Sequence, residues 1–370
     1  MSTINESRLF ATNEHAYPLR SLAWSGFPIV DACTVHAEYG HLLVLTTDGT
    51  LHGVDFDTRA CLKLCVVDLP VIARTVEHLY FGAASYRLHA SSDGRYAAIV
   101  VDRGRKGVVM EVLSGAVTMR LNGGEYHENT VPFSACFLRY KGRNVLVHRT
   151  SWNRLDAADP ATGKLLTDRY IAPYEGAKTR PAHYHDYFHG QLRPSPDGSR
   201  LFDDGWFWQP VSMPRVWSVT DWLGSNPWES EDGASVVYLT MRDDWTTPAC
   251  WVSERHFALW GLADWDDDEC AEVGQGTGVR ILDVSEGKQS SDRRWPMEME
   301  ANRVFDLFSD GKSLYVAADT GTTVWDIVSG TQITGLPEFI ARLHDLARGT
   351  LVAIAPNTIT EFPLPWLAAK

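Results

Sequence analysis

Apolar and polar positions alternate along almost the whole chain, in short runs cut by Gly, Asp and Pro, and the spacing of an amphipathic helix hardly occurs. A period of two predicts half-buried strands, because successive side chains of a strand point to opposite faces. The pattern is plainest near the end of the chain. Leu314-Tyr-Val-Ala-Ala-Asp and Thr322-Thr-Val-Trp-Asp-Ile read as strands, with Phe308-Ser-Asp-Gly-Lys as the hairpin turn before them and Ser329-Gly-Thr-Gln as the turn after. Asp-Gly is a strong hairpin signal, since Gly accepts a positive φ and the Asp side chain bonds the backbone of its own turn. Earlier copies stand at Thr47-Asp-Gly-Thr, Ser92-Asp-Gly-Arg and Ser195-Pro-Asp-Gly-Ser.

Seven such units can be marked, at about residues 34–66, 86–121, 133–169, 189–223, 249–294, 304–336 and 343–364. Recurrence roughly every 40 to 60 residues, with room for about four strands in each unit, is the signature of a repeat architecture. The expected fold is all-β: a seven-bladed β-propeller of four-stranded blades, one domain over residues 1–370. The seventh unit runs out before its fourth strand, and an open ring would leave two strand edges unpaired. The segment near 17–24, Tyr17-Pro-Leu-Arg-Ser-Leu-Ala-Trp, is therefore expected to supply the outer strand of the last blade. A pair of β-sandwiches would need a linker near the middle, and no Pro/Gly/Ser-rich or charged linker stands there.

At Trp325-Asp326 the chain resembles the WD40 repeat family. Asp319 precedes that tryptophan by six residues, across a turn, as the family places it, and Ser309-Asp310-Gly311 lies in the preceding hairpin. Asp48-Gly49-Thr50 followed by Val54-Asp55 is a second good match, and Arg215-Val-Trp-Ser and Ile281-Leu-Asp-Val are weaker ones. Only one unit keeps Trp-Asp, and the Gly-His pair that opens such repeats is largely missing, so the resemblance is to a divergent member. The long segments from His183 to Trp208 are similar to those of bacterial WD40-like proteins. In a propeller, the connections between blades and those between second and third strands share one face. The turns at Asp93-Gly94, Asp197-Gly198 and Asp310-Gly311 belong to the other and read as structural.

Composition narrows the function. A net charge of −13, from 47 acidic and 34 basic residues, argues against nucleic-acid binding through phosphates, which needs a basic face. It permits a basic partner or bound cations, and solubility explains it as well. The six cysteines, Cys33, Cys61, Cys65, Cys136, Cys250 and Cys270, show no Cys-x-x-Cys spacing and read as reduced thiols. The first residues lack the basic and apolar regions of a signal peptide, and no apolar run is long enough to span a bilayer. A cytoplasmic protein with no membrane partner is expected. Fourteen Trp, thirteen Tyr and fourteen Phe suit sheets packed face to face.

Three clusters carry candidate chemistry. The loop entering blade four holds His183, Tyr184, His185, Asp186, Tyr187 and His189. His-x-His with a carboxylate suits a zinc-type ion, so His183, His185 and Asp186 are candidate metal ligands, while His189-Gly190 is placed to bond a neighbouring strand. The second cluster is Asp203-Asp204-Gly-Trp206-Phe-Trp208, expected between the second and third strands of blade four. Its tryptophans would stack on a sugar or a cationic group if exposed, or pack between blades if not. The third is the acidic loop Asp264-Trp265-Asp266-Asp-Asp-Glu, which begins like an EF-hand but has Glu269 where Gly is required. Trp228 and Trp245 add aromatic area in neighbouring loops. Long insertions around 170–189, 224–247 and 262–277 are expected to converge on one side of blades four and five. No phosphate loop, dinucleotide fingerprint or nucleophile turn appears, and no cofactor is expected.

The leading expectation is a binding or scaffold module that recognises a protein or a small ligand through an acidic, aromatic-rich loop face. A metal- or general-base-dependent hydrolase or lyase at the channel mouth is the alternative from another class. An acidic receptor that neutralises a basic partner protein is the third.

Overall fold

The computed structural model describes residues 9–12, 15–72, 83–170, 172, 174, 179–207, 211–242, 246–262, 276–285, 292–299 and 301–364. Seven antiparallel sheets follow one another around a ring, six of them with their strands in sequence order, and a separate hairpin, Leu9–Thr12 with His15–Pro18, precedes them. Blade one is Ile29–Ala37, Gly40–Thr46, Thr50–Asp55 and Ala60–Val66; blade two is Ser85–Ala90, Tyr96–Asp102, Lys106–Glu111 and Val117–Asn122. Blade three is Ala135–Tyr140, Arg143–Ser151 and Arg154–Ala158; blade four is Tyr187–Pro194, Arg200–Phe207, Arg215–Ser218 and Val237–Tyr238. Blade five is Ala249–Trp251, His256–Trp260, Gly278–Asp283 and Asp292–Pro296; blade six is Val304–Ser309, Ser313–Ala318, Gly321–Asp326 and Gln332–Pro337. The protein is a seven-bladed β-propeller.

Blade seven, Leu343–Asp345, Thr350–Ala355 and Thr358–Pro363, takes its fourth strand from Arg20–Ala23. The register is antiparallel, with Arg20 opposite Glu361 and Ala23 opposite Thr358. This is the strand exchange that the truncated seventh unit predicts. Charge fixes the seam. Arg20 pairs with Glu361 at 2.7 Å and with Asp57 of blade one at 2.9 Å, and Arg348 reaches the same two carboxylates at 3.3 and 3.0 Å. The Arg348 guanidinium, the main cause, holds the Asp57 carboxyl down to about 2.

The alternation of the strands places one hydrophobic cluster at every seam. Leu43, Leu45, Ile99 and Met110 join blades one and two, and Val147, Leu201 and Trp217 join blades three and four. Trp325, of the Trp-Asp pair, is buried between blades five and six, edge-on to Trp295 at 5.9 Å, and its Nε1 donates to Thr323 Oγ1 at 2.8 Å. A blade buried on both faces needs apolar residues at nearly every position of its second strand, as in Tyr96–Asp102.

The Asp-Gly turns at 93–94, 197–198 and 310–311 connect first to second strands, with their glycines at φ +66°, +71° and +86°, where a side chain would be strained. The first strand of blade one starts at Ile29, earlier than the pattern suggests, because two register shifts break its alternation. Blade three has three strands among the described residues. Its outer edge is covered by a single bridge at Leu165 and by side chains, Thr167 accepting from the Ala157 amide and Arg169 donating to the Leu155 carbonyl. Among the described residues no helix is long and apolar enough to cross a membrane.

Candidate functional site

Blade four departs most from a plain repeat. Its first strand carries a register shift between Phe188 and Gln191, which brings the backbone of Gly190 against that of Asp204, where a Cβ would lie 1.8 Å from the Asp204 oxygen. The Gly190 amide and the His189 imidazole then both bond the carboxylate of Asp203, at 2.9 and 2.8 Å. Arg215, on the third strand, packs its guanidinium 4.0 Å above the Tyr187 ring, donates to His185 Nε2 at 2.7 Å and lies 3.5 Å from Asp203. None of Asp203, His189, Arg215 and Tyr187 is exposed.

The network continues into blade three. Two short helices, Val219–Gly224 and Glu229–Asp232, fill the connection before the last strand of blade four. The first is capped by Ser218 and seats Trp222 against Trp217. The second lays Glu231 against Arg169, whose guanidinium also donates to Asp156 at 2.7 Å. Asp156 accepts in addition from Thr150 at 2.6 Å and Arg154 at 2.8 Å. A buried polar string thus runs Asp156–Arg169–Glu231–Arg215–Asp203–His189 along the seam, its middle link passing from Arg215 to the backbone carbonyl of Glu231 at 3.4 Å. Each carboxylate in it has a cation beside it, the condition under which buried charge is tolerated.

This arrangement decides the roles of the predicted residues. Burial, then the Arg215 cation, pushes His185 well below the ordinary histidine range, and burial lowers His189 as well, against the opposing pull of Asp203. His183 instead bonds Asp232 at 2.9 Å and lies flat on Trp228, ring centres 4.3 Å apart. The proposed ligands His183, His185 and Asp186 are not brought together: the first two turn to separate protein partners. Among the described residues one group, His41, Asp55 and Asp57, has its imidazole and carboxylate atoms within 4.8 Å of one another, and Arg348 already donates to His41 at 2.8 Å and to Asp57 at 3.0 Å.

The second cluster needs correction. Arg200–Phe207 is a single strand, so Asp203, Asp204 and Trp206 lie within the sheet and not in the loop after it, and all three are buried. Asp204 bonds Arg242 at 2.8 Å, and Trp206 stacks on Phe188 at 4.2 Å. Tyr187 donates its hydroxyl to the Met213 carbonyl at 3.0 Å, so it too is an interior group. Trp208, Trp245, Trp265 and Asp266, with the rest of the acidic loop from Asp264, lie outside the described residues.

What remains at the surface is aromatic. Phe188, stacked below on Trp206, supports Trp152 at 4.5 Å, and Tyr126 lies parallel to Phe188 at 6.0 Å. Beside them Tyr184 stacks with Tyr174 at 4.7 Å under the Arg180 guanidinium. Tyr126 and Tyr174 are 51% and 46% exposed, large fractions for rings held in stacks. Burial and the nearby Asp186 raise the Tyr184 phenol, which stays a neutral donor. Asn153 ties the two loops together by donating to the His185 carbonyl at 2.8 Å. The platform sits on the rim between blades two, three and four, on the face that carries the connections between blades.

No family model matches the chain, and no curated protein matches it in sequence. Solved structures do. The structure of U3-55K is similar at 14% identity over 94% of this chain and 98% of that one, with a TM-score of 0.54. A chain of the mitotic checkpoint complex is 12% identical over 98% and 95%, at 0.54, and one of Kuenenia stuttgartiensis hydrazine synthase is 12% identical over 92% and 97%, at 0.57. The fold is shared. At these identities it is all that is shared, and an assembly component and a synthase on one architecture leave function to the site.

Neither Tyr126, in one of several acidic and aromatic loops expected on this face, nor Trp152 is singled out by sequence reasoning as a site residue. Each is a lone aromatic in its own loop, far apart in the chain, and only the ring of blades brings them together. The signal was positional: both loops belong to connections on the same face.

Proposed function

We propose that this propeller is a recognition module that binds a protein partner on the aromatic platform of Tyr126, Trp152, Tyr174 and Tyr184. The observation that carries the reading is the combination of half-exposed stacked rings with a buried polar string that fixes the loops beneath them. Large rings with few rotatable bonds, held in place before binding, supply contact area at small entropic cost. His183 on Trp228, with Asp232 and Asp186, borders the platform with acidic groups, which favours a partner segment carrying apolar and cationic side chains. The histidines of the loop act here as structural contacts. The five described cysteines are all unpaired, in keeping with the cytoplasmic setting we propose.

The test is a photo-crosslinking residue placed at Tyr126 or Tyr174 in cells, with Ile333, 51% exposed on the outer strand of blade six, as control position. A discrete partner captured from the two platform positions and absent from the control supports the reading. Equal capture from all three, or none from the platform, removes it.

A further inference from the structure

A concave site lies on the same face at blade two and shares no residue with the platform. It encloses about 620 Å³, within the range of small-ligand pockets. Its floor is apolar, formed by Leu69, Ile72, Val101 and Leu121, and Val71, 85% exposed, stands at the mouth. Among the described residues the rim carries four cations, Arg103, Arg105, Lys106 and Arg120, against two carboxylates, Asp68 and Glu128. On a chain of net charge −13, a local excess of two positive charges runs against the whole.

The cations differ in what they are free to do. Arg105 is committed, paired with Glu125 and 3.5 Å from Glu128. Among the described residues Arg103, Lys106 and Arg120 form no ion pair and no side-chain hydrogen bond. The buried carboxylate of Asp102, next to Arg103 in the chain, is spent on Arg87 at 2.5 Å and on the Phe133 amide at 3.0 Å. The loop that presents Arg103 is held from below. The buried Arg149 donates to the Gly104 carbonyl at 2.7 Å, and the Gly123 amide bonds the Arg105 carbonyl at 2.8 Å. Arg103 itself sits at φ +60°, a conformation that costs a side-chain-bearing residue on the order of 1 kcal/mol and is kept where surroundings impose it. Tyr86 pins the opposite wall by donating to the Pro70 carbonyl at 2.9 Å.

We propose that this pocket binds a small organic anion, a phosphate or carboxylate on a flat apolar body. The apolar floor takes the body, and Arg103, Lys106 and Arg120 take the charge. Unpaired cations beside an exposed apolar surface are the complement of such a ligand, and a bare ion or a neutral ring satisfies only half of the site. Guanidinium groups suit the anion in particular, because their fork matches two oxygens at once.

The test is calorimetry on the full chain at low ionic strength with 1-naphthyl phosphate, and with 1-naphthol and inorganic phosphate as the two halves. Saturable one-to-one binding of 1-naphthyl phosphate is expected, at least about tenfold tighter than either half and weakened by salt. Lys106→Gln/Arg120→Gln lowers the affinity by about tenfold or more, and Arg103→Gly, which keeps the backbone turn, does the same. Tyr184→Ala leaves it unchanged, which separates this site from the platform. No saturation up to about 10 mM, equal affinity for inorganic phosphate, indifference to the cation variants, or loss in Tyr184→Ala each overturns the proposal.

Discussion

Replacing Arg169 by methionine tests whether the buried polar string holds blades three and four together. The Arg169 side chain is 2% exposed and lies between Asp156 and Glu231, 1% and 2% exposed. Methionine fills much of the space but removes the cation. Asp156 keeps Arg154 and two threonine hydroxyls, whereas Glu231 is left with the hydroxyl of Ser230 alone at 3.0 Å. Stranding one buried charge in this way costs about 3–5 kcal/mol. Unfolding entropy of about 2.1 cal/mol/K per residue over 370 residues makes each kcal/mol worth about 1.3 °C, so the midpoint should fall by about 4–6 °C in calorimetry at neutral pH. Arg169→Met/Glu231→Leu should recover at least half of the loss, because the stranded charge has gone too. Arg95→Met, which breaks an exposed pair with Glu111, should leave the midpoint within error. A shift under about 1 °C for Arg169→Met, or a double variant as weak as the single one, would refute the reasoning.

Deleting residues 1–24 removes the Arg20–Ala23 strand and opens the ring at blade seven, so the truncated chain should be insoluble; a soluble truncation with the parent's midpoint would remove strand exchange as a source of stability. Acidification should destabilise the protein. Burial pushes His344 down to about 4 and His89 down to about 3. Both folded-state values lie below the unfolded one near 6.5, so the stabilisation is present above about 6.5 and is lost as pH falls, about 1.4 kcal/mol per unit for each residue. His185, depressed by burial and by Arg215, adds to this, so urea midpoints from pH 7 to 5.5 should register a loss of at least about 3–4 kcal/mol, smaller by about 1 kcal/mol in His344→Leu, and a flat profile would contradict it. Gly190→Ala places a Cβ against the Asp204 carbonyl, and should lower the midpoint by several degrees without any change in polar groups; an unchanged midpoint would show that the register shift is not required.

Strands and turns were legible because each depends on neighbours in the chain. Asp310-Gly311 makes its own hairpin, and the period-two pattern of Leu314 to Asp319 needs no distant partner to be read. The short seventh unit even announced its missing strand. The site was legible only in part. His189 was correctly placed against a neighbouring strand, but Asp203, Asp204 and Trp206 were assigned to a loop, because a polar, glycine-containing run reads as a turn. In the sheet those carboxylates are tolerated because Arg215 and Arg242 reach them from other strands, and such pairings leave no local trace. The same holds for Arg169 with Glu231, sixty-two positions apart. Part of the 224–247 insertion does meet the 170–189 loop, through His183, Trp228 and Asp232, while most of the 262–277 insertion lies outside the described residues. A helix of four residues with no side-chain cap carries too weak a signal to be expected there.

We place recognition on the stacked rings between blades two and four. Its most direct measurement is the affinity of the crosslinked partner, once purified, for the parent chain and for Tyr126→Ala/Tyr184→Ala, with the thermal midpoint of each recorded alongside. A loss of at least about tenfold in affinity, equivalent to about 1.4 kcal/mol, is expected at an unchanged midpoint. An unaltered affinity, or an equal loss in a variant of the exposed outer strand such as Ile333→Ala, would contradict it.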